Sequence, residues 1–218
     1  FQVLRAYLAY AKGDDWVNEF VGTSPGQPSG TTSLFPDNTT CAANVATTTG
    51  LTLNADALAY ADKVLLAIGG KPVDQDTFTI GTTPTSLAYF VRESSPLYAF
   101  DPADGSAAAA RRNAVANDKC LGCHQGTLYQ HGGDRVDNEQ LCTVCHNPSS
   151  NDKNNRLDRF QIVNDDGTVN TDATYDGKIG ETYDMRYMIP AIHGVDKATT
   201  PWVVYRGRGI YAFAPALY

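Results

Sequence analysis

Apolar positions along this chain come in short runs broken by turn residues, a pattern that predicts turns and irregular segments over long helices. Near the start, Val3, Leu4, Tyr7, Leu8 and Ala11 follow helical spacing, but the Tyr and Val content suits a strand equally well. Residues 22–50 are a Gly/Ser/Thr/Pro/Asn tract and read as loop. Residues 54–68 open on a cap at Asn54 and close on Gly69-Gly70, with Leu58, Ala61, Leu65 and Ile68 on one helical face. The competing pattern there is a hairpin turning at Gly69-Gly70-Lys71, with Thr77 to Ile80 in the return strand. Residues 86–92 have strand character. Beyond the DPADG turn, Ser106 to Asn117 has the strongest helix propensity in the chain. Residues 149–180, rich in Asn, Asp and Gly, read as surface loop without a regular calcium-loop pattern, and the tail from Trp202 is β-prone.

The helix predicted at 106–117 leads into the chemistry. Cys120-Leu121-Gly122-Cys123-His124 and Cys142-Thr143-Val144-Cys145-His146 both read C-x-x-C-H, the signature of covalent c-type haem attachment. Two thiols three positions apart each form a thioether to one haem edge, and the adjacent imidazole becomes the proximal iron ligand. The same cysteines match the spacing of a zinc tetra-thiolate. The histidines decide between the two. With four in 218 residues, chance puts one at a given place about once in fifty-five, and at both on the order of once in three thousand. A thioredoxin-like dithiol explains neither.

Two haem c groups need up to four axial ligands. His124 and His146 supply two, and the remaining histidines, His131 and His193, close the count as bis-histidine. Met185 and Met188 are weaker distal candidates. We assign His131 to the iron under His146 and His193 to the iron under His124, a crossed arrangement that would hold the macrocycles close together. Gly132-Gly133 would permit a tight turn beside a flat ring. Arg111 and Arg112 fit either haem propionates or a solvated helix face. The expected fold class is a multihaem c-type cytochrome, largely irregular with short helices around covalently bound haems, preceded by a β-containing N-terminal module. The expected domains are a scaffold at 1–95 and a dihaem module at 96–218.

Composition changes this picture little. Hydrophobic content of 42% and charged content of 19% are low, which buried porphyrin can offset. A net charge of −7 argues against nucleic acid and anionic membranes as partners. No apolar run is long enough to span a membrane, and the chain opens on Phe1 without a signal peptide, as a mature or trimmed form would. Haem attachment of this type follows export, which places the protein outside the cytoplasm. Cys41, the fifth cysteine, reads as a free, partly buried thiol or as half of an intermolecular disulfide. The Asn38-Thr39-Thr40 triplet matches a glycosylation sequon, a common coincidence.

RRNAVANDKCLGCH, LYQHGGDR and QLCTVCHNPSS resemble the OmcA/MtrC family of outer-membrane decahaem c-type cytochromes. MIPAIHG is similar to that family's M-I-H-x-I-H-x-G, with Pro190 in place of the first histidine and His193 matching the second. The resemblance covers roughly residues 95–195. It implies that Cys120, Cys123, His124, Cys142, Cys145 and His146 bind haem and that His131 and His193 are distal ligands. Other haem motifs of the family are absent, so the chain resembles a dihaem relative or a segment of a longer cytochrome. Implied partners are other c-type cytochromes or copies of itself in a filament, and a terminal acceptor such as a metal oxide or soluble shuttle. The implied place is extracellular or on the outer cell surface. Saturated irons point to an electron carrier and not an enzyme. A dihaem reductase or peroxidase with one labile ligand is the alternative.

Overall fold

The structure is a computed structural model and describes residues 3–17, 31–34, 38–125, 128–131 and 135–215. Its organising strand is β1 (Val3–Lys12). Ala6 through Ala11 are all buried, and they divide by alternation. Tyr7, Ala9 and Ala11 join one apolar cluster, Leu8 and Tyr10 the other. A strand covered on both faces reads as a near-continuous apolar run, which is why its sequence also fitted a helix.

β1 pairs antiparallel with β6 (Lys63–Lys71) over the whole register from Val3–Lys71 to Ala11–Lys63. β6 in turn pairs with β9 (Leu97–Phe100). Short β2 (Asp15–Trp16) and β3 (Thr31–Ser33) complete a five-stranded sheet along the other edge of β1. The helix expected over 54–68 is confined to α1 (Ala55–Leu58), where Asn54 accepts from the Ala57 amide at 3.1 Å. Gly69 and Gly70 lie inside β6, opposite Arg5 and Leu4, and not at a turn. The strand expected to return along β6 is β7 (Val73–Ile80), which pairs instead with β8 (Thr83–Phe90) as a separate exposed ribbon.

The 22–50 tract is not all loop. Besides β3 it holds a hairpin, β4 (Thr39–Ala42) and β5 (Val45–Thr48), turned by Ala43 and Asn44 at φ 50° and 63°. Positive φ at both central residues is what a two-residue hairpin loop demands. Cys41 sits on β4 as a free, exposed thiol, and not a partly buried one.

Ser106 to Asn117 is the clearest departure from local propensity. It carries no helix; α2 begins only at Asn117 (Asn117–Leu121). The alanines are extended against the sheet edge, with the Ala108 amide on Ala99 O and Lys63 Nζ on Ala109 O. Arg111 lies over the Trp16 ring and donates to Asp14 O, while the Arg112 amide donates to Asp14 Oδ1. Tertiary partners outweigh a few tenths of a kcal/mol per residue of helix preference.

Two further helices follow, α3 (Glu139–Cys145) and α4 (Met185–His193), with the small hairpin of β10 (Tyr129–Gln130) and β11 (Arg135–Val136) before them. The tail forms hairpin β12 (Trp202–Arg206) and β13 (Gly209–Phe213), as its composition predicts. Residues 149–180 are not simply surface. Fully buried Arg156 bonds Asp152 at 3.0 and 3.1 Å, Asp176 at 2.6 and 2.9 Å, and the carbonyls of Lys178 and Val203. Its guanidinium also stacks 4.3 Å from the Tyr205 ring centre.

The expectation of a largely irregular chain with short helices is therefore corrected. Among the described residues, thirteen strands outnumber four α-helices, and β structure extends through the cysteine-bearing half to its final hairpin. The cause is the long antiparallel register of β1, β6 and β9, which recruits segments whose own propensity is helical or neutral.

Candidate functional site

Both cysteine motifs are positioned by short helices. Cys120 lies in the last turn of α2, and the Cys123 and His124 amides fold back on its carbonyl at 3.2 and 3.0 Å. Cys142 and Cys145 sit three positions apart on α3, hence on one face. Asn138 caps α3 by accepting from the Leu141 amide, and its own amide group donates to Ser95 O at 2.6 Å. At the other end, Asn147 and Ser150 donate to the carbonyls of Val144 and Cys145, so the helix stops at the Asn147-Pro148 step with its orphan acceptors satisfied. Leu141 and Val144 project into the cluster of Tyr7, Ala9 and Leu65, and Cys145 packs at its edge.

The four histidines fall into two pairs. The rings of His124 and His193 have centroids 6.2 Å apart with planes at 83°. Those of His131 and His146 are 6.0 Å apart and inclined by 26°. A metal bonded to two imidazoles at about 2 Å, with each nitrogen about 1 Å from its ring centre, sets the centroids about 6 Å apart. Both pairs thus have room for one iron. The four thiols, by contrast, do not converge: among the described residues no cluster of three or more His, Cys, Asp or Glu side chains could hold a metal ion. That is the opposite of what a zinc tetra-thiolate needs.

Hydrogen bonds fix two of the rings. His146 Nδ1 is 2.7 Å from Tyr183 O, and His193 Nδ1 is 2.9 Å from Ile189 O. A carbonyl only accepts, so Nδ1 carries the hydrogen in each and Nε2 is left with its lone pair for a metal. These carbonyl partners are backbone atoms and leave no trace in the sequence. α4 sets the spacing between the pairs. Its start is tied to His146 through the Met185 amide at 3.2 Å, and its last residue is His193. Nine residues of helix span about 13 Å. Pro190, past the first turn, forgoes the bond to the Arg186 carbonyl, while Asp184 caps the helix start by accepting from the Arg186 amide.

His131 is held differently. It stands at the end of β10 with φ 58°, a left-handed conformation that is uncommon outside glycine. Gly132 and Gly133 lie outside the described residues. Arg206 Nη2 approaches its Nδ1 at 3.3 Å. His131 is exposed as a residue, yet lost hydration and then Arg135 and Arg206 hold its ring well below the usual histidine range. Burial, followed by Arg206 and Arg135 and opposed by the Tyr183 carbonyl, lowers His146 as well. Neither arginine was singled out by the sequence; the only hint was the basic RGR at 206–208 in an acidic chain. Arg111 and Arg112, which were, are engaged with Asp14 and Trp16.

Burial pushes the Cys142 and Cys145 thiols up to about 11, with Cys145 and Glu139 adding to the effect at Cys142. Cys41 and Cys123 are exposed. In the folded, haem-free protein at pH 8, iodoacetamide should label Cys41 and Cys123 first. Cys142 and Cys145 should react on the order of a hundredfold more slowly, because little thiolate is present. Peptide mass spectrometry over time measures this, and equal rates at all five cysteines would refute it.

Residues 112–205 match the sequence model of a family described as outer membrane cytochrome MtrC/MtrF-like, domains II/IV. Over this stretch the chain is related to that family. Comparison with curated proteins and with solved structures yields no significant match. The MtrC/MtrF-like segment contains both C-x-x-C-H motifs and all four histidines. The family so described is one of haem-binding, electron-transferring cytochromes of the outer membrane. Among the described residues, no helix is long and apolar enough to cross a membrane.

Proposed function

We propose that the chain is an extracellular electron-transfer protein with two covalently attached c-type haems. Cys120 and Cys123 carry the first, with His124 and His193 as its axial pair. Cys142 and Cys145 carry the second, with His146 and His131. The observation that carries this reading is the pairing of the four histidines, each pair at an iron-spanning separation and each including one C-x-x-C-H histidine. Bound there, the haems supply one-electron redox chemistry. The thiols fix each macrocycle in place, and the Tyr183 and Ile189 carbonyls orient the imidazoles. Two imidazoles per iron leave no coordination site for a substrate, which makes the protein a carrier and not a catalyst. Residues 1–95 serve as scaffold and 96–218 as the dihaem module. Other cytochromes, or copies of this chain in a filament, and a metal oxide or soluble shuttle are the partners at the outer surface.

The purified holoprotein should gain the mass of two haems and show a low-spin Soret spectrum. Its ferric form should give two distinct electron paramagnetic resonance signals. Near-perpendicular imidazole planes produce a broad signal at high g, and near-parallel planes an ordinary rhombic one, so angles of 83° and 26° label the sites separately. A single signal, or one haem per chain, would overturn the assignment.

One observation favours a second reading, a dihaem reductase or peroxidase. His131 has a strained backbone, an exposed position and a guanidinium against Nδ1, the attributes of a displaceable ligand. Spectral change on adding cyanide or peroxide would support that reading at the expense of the first.

A further inference from the structure

We propose that the two sites are unequal, and that an electron comes to rest on the iron between His131 and His146. The inference builds on the haem pairing above and concerns which residues set the order of the potentials. A ferric haem carries one more positive charge than a ferrous one. Fixed cations and dry surroundings therefore both favour the reduced state and raise the potential.

The cations gather at one pair, whose His131 is exposed but whose His146, Cys142 and Cys145 are partly buried. Arg206 stands 3.3 Å from His131 Nδ1, and Arg135 and Arg208 add their fields to the same ring. Arg135 cannot swing away, since it donates to Tyr7 Oη at 2.6 Å and lies over the Tyr7 ring. With iron on Nε2, Nδ1 of His131 carries the hydrogen and cannot accept from Arg206, whose guanidinium then acts on the site as a nearby charge and not as a hydrogen-bond donor. Two carboxylates also approach this site. Asp184 is committed to Arg186 at 2.6 Å, and Glu139 lies on the Cys142 side. Among the described residues, three guanidiniums exceed what remains of that negative charge.

Among the described residues, no comparable set of cations gathers at the other pair. Cys123, His124 and His193 are exposed and only Cys120 is partly buried, whereas at the second site His131 alone is exposed and Cys142, Cys145 and His146 are half-buried, the last two against the core and Tyr183. The charges of α2 beside Cys120, Asp118 and Lys119, pair with each other at 3.8 Å. Ligand hydrogen bonding does not separate the sites, because each has one imidazole donating to a backbone carbonyl. The exposed site is thus the port through which electrons enter or leave, and the arginine-flanked site is where they dwell.

The test is a potentiometric titration of the holoprotein followed by electron paramagnetic resonance. The rhombic signal of the 26° pair should vanish at a higher potential than the high-g signal of the 83° pair. Arg206→Gln should move the midpoint of the rhombic signal downward and leave the other in place. Arg135→Gln should act in the same direction, with circular dichroism confirming the fold. Loss of the high-g signal first, coincident midpoints, or an Arg206→Gln shift shared equally by both signals would overturn the proposal while leaving the haem pairing intact. Absence of two low-spin signals would instead remove the pairing itself.

Discussion

Arg156→Met should destabilise the protein by about 3–5 kcal/mol, the cost of leaving buried carboxylates without their cation. Arg156 is fully buried and reaches Asp152 and Asp176 through paired bonds. Burial alone would lower its proton affinity, yet the bonds and charges of Asp176 and Asp152 raise it above the ordinary arginine value. The same Asp152 accepts the Tyr205 amide at 2.8 Å and the Glu181 amide at 2.6 Å, so the loss spreads to β12 and to the approach to α4. Arg156→Lys keeps the charge but not the planar fork, and should recover only part of the loss. Urea denaturation read by intrinsic fluorescence measures both variants. A midpoint for Arg156→Met within error of the parent would show that the network contributes nothing.

On the proposed haem pairing, His131→Ala should convert one of the two haems from low to high spin and leave the other unchanged. In the resonance spectrum the rhombic signal should disappear and the high-g signal persist, given the 26° and 83° inclinations. Added imidazole should restore the lost signal by filling the vacated position. Loss of the high-g signal instead would mean that His131 serves the iron under His124. The conversion is expected to be complete, because no other histidine is available: the chain has four, and each belongs to a pair.

The motifs were far more legible in the sequence than the fold. A C-x-x-C-H motif is local, so Cys120 to His124 and Cys142 to His146 announce themselves wherever the chain goes. The strands do not. β6 contains Gly69-Gly70, a pair that ends elements when nothing lies beside it, but here Arg5 and Leu4 of β1 do. Ser106 to Asn117 has helical residues throughout, yet its partners Ala99, Lys63, Asp14 and Trp16 are distant in sequence and outweigh local preference. Arg156 hides in a polar stretch because the sequence cannot show that two of the many nearby carboxylates turn inward. Arg135 and Arg206 escaped notice for a related reason. Basic residues are common, and only the folded hairpins bring them to the His131 ring.

The packing of α3 against β1 and β6 has a consequence for modularity. Leu141 and Val144, between and beside the cysteines of the second motif, share one cluster with Tyr7, Ala9, Ala11, Leu65 and Ala67. The floor beneath that motif is therefore built by residues far outside the 112–205 stretch that defines the family relationship. The segment with the two C-x-x-C-H motifs is not a cassette that can be moved into another protein by its motif boundaries. Grafted alone, it would carry its thiols and imidazoles but expose the underside of the helix that holds two of them, so any transplant must take the first sheet along.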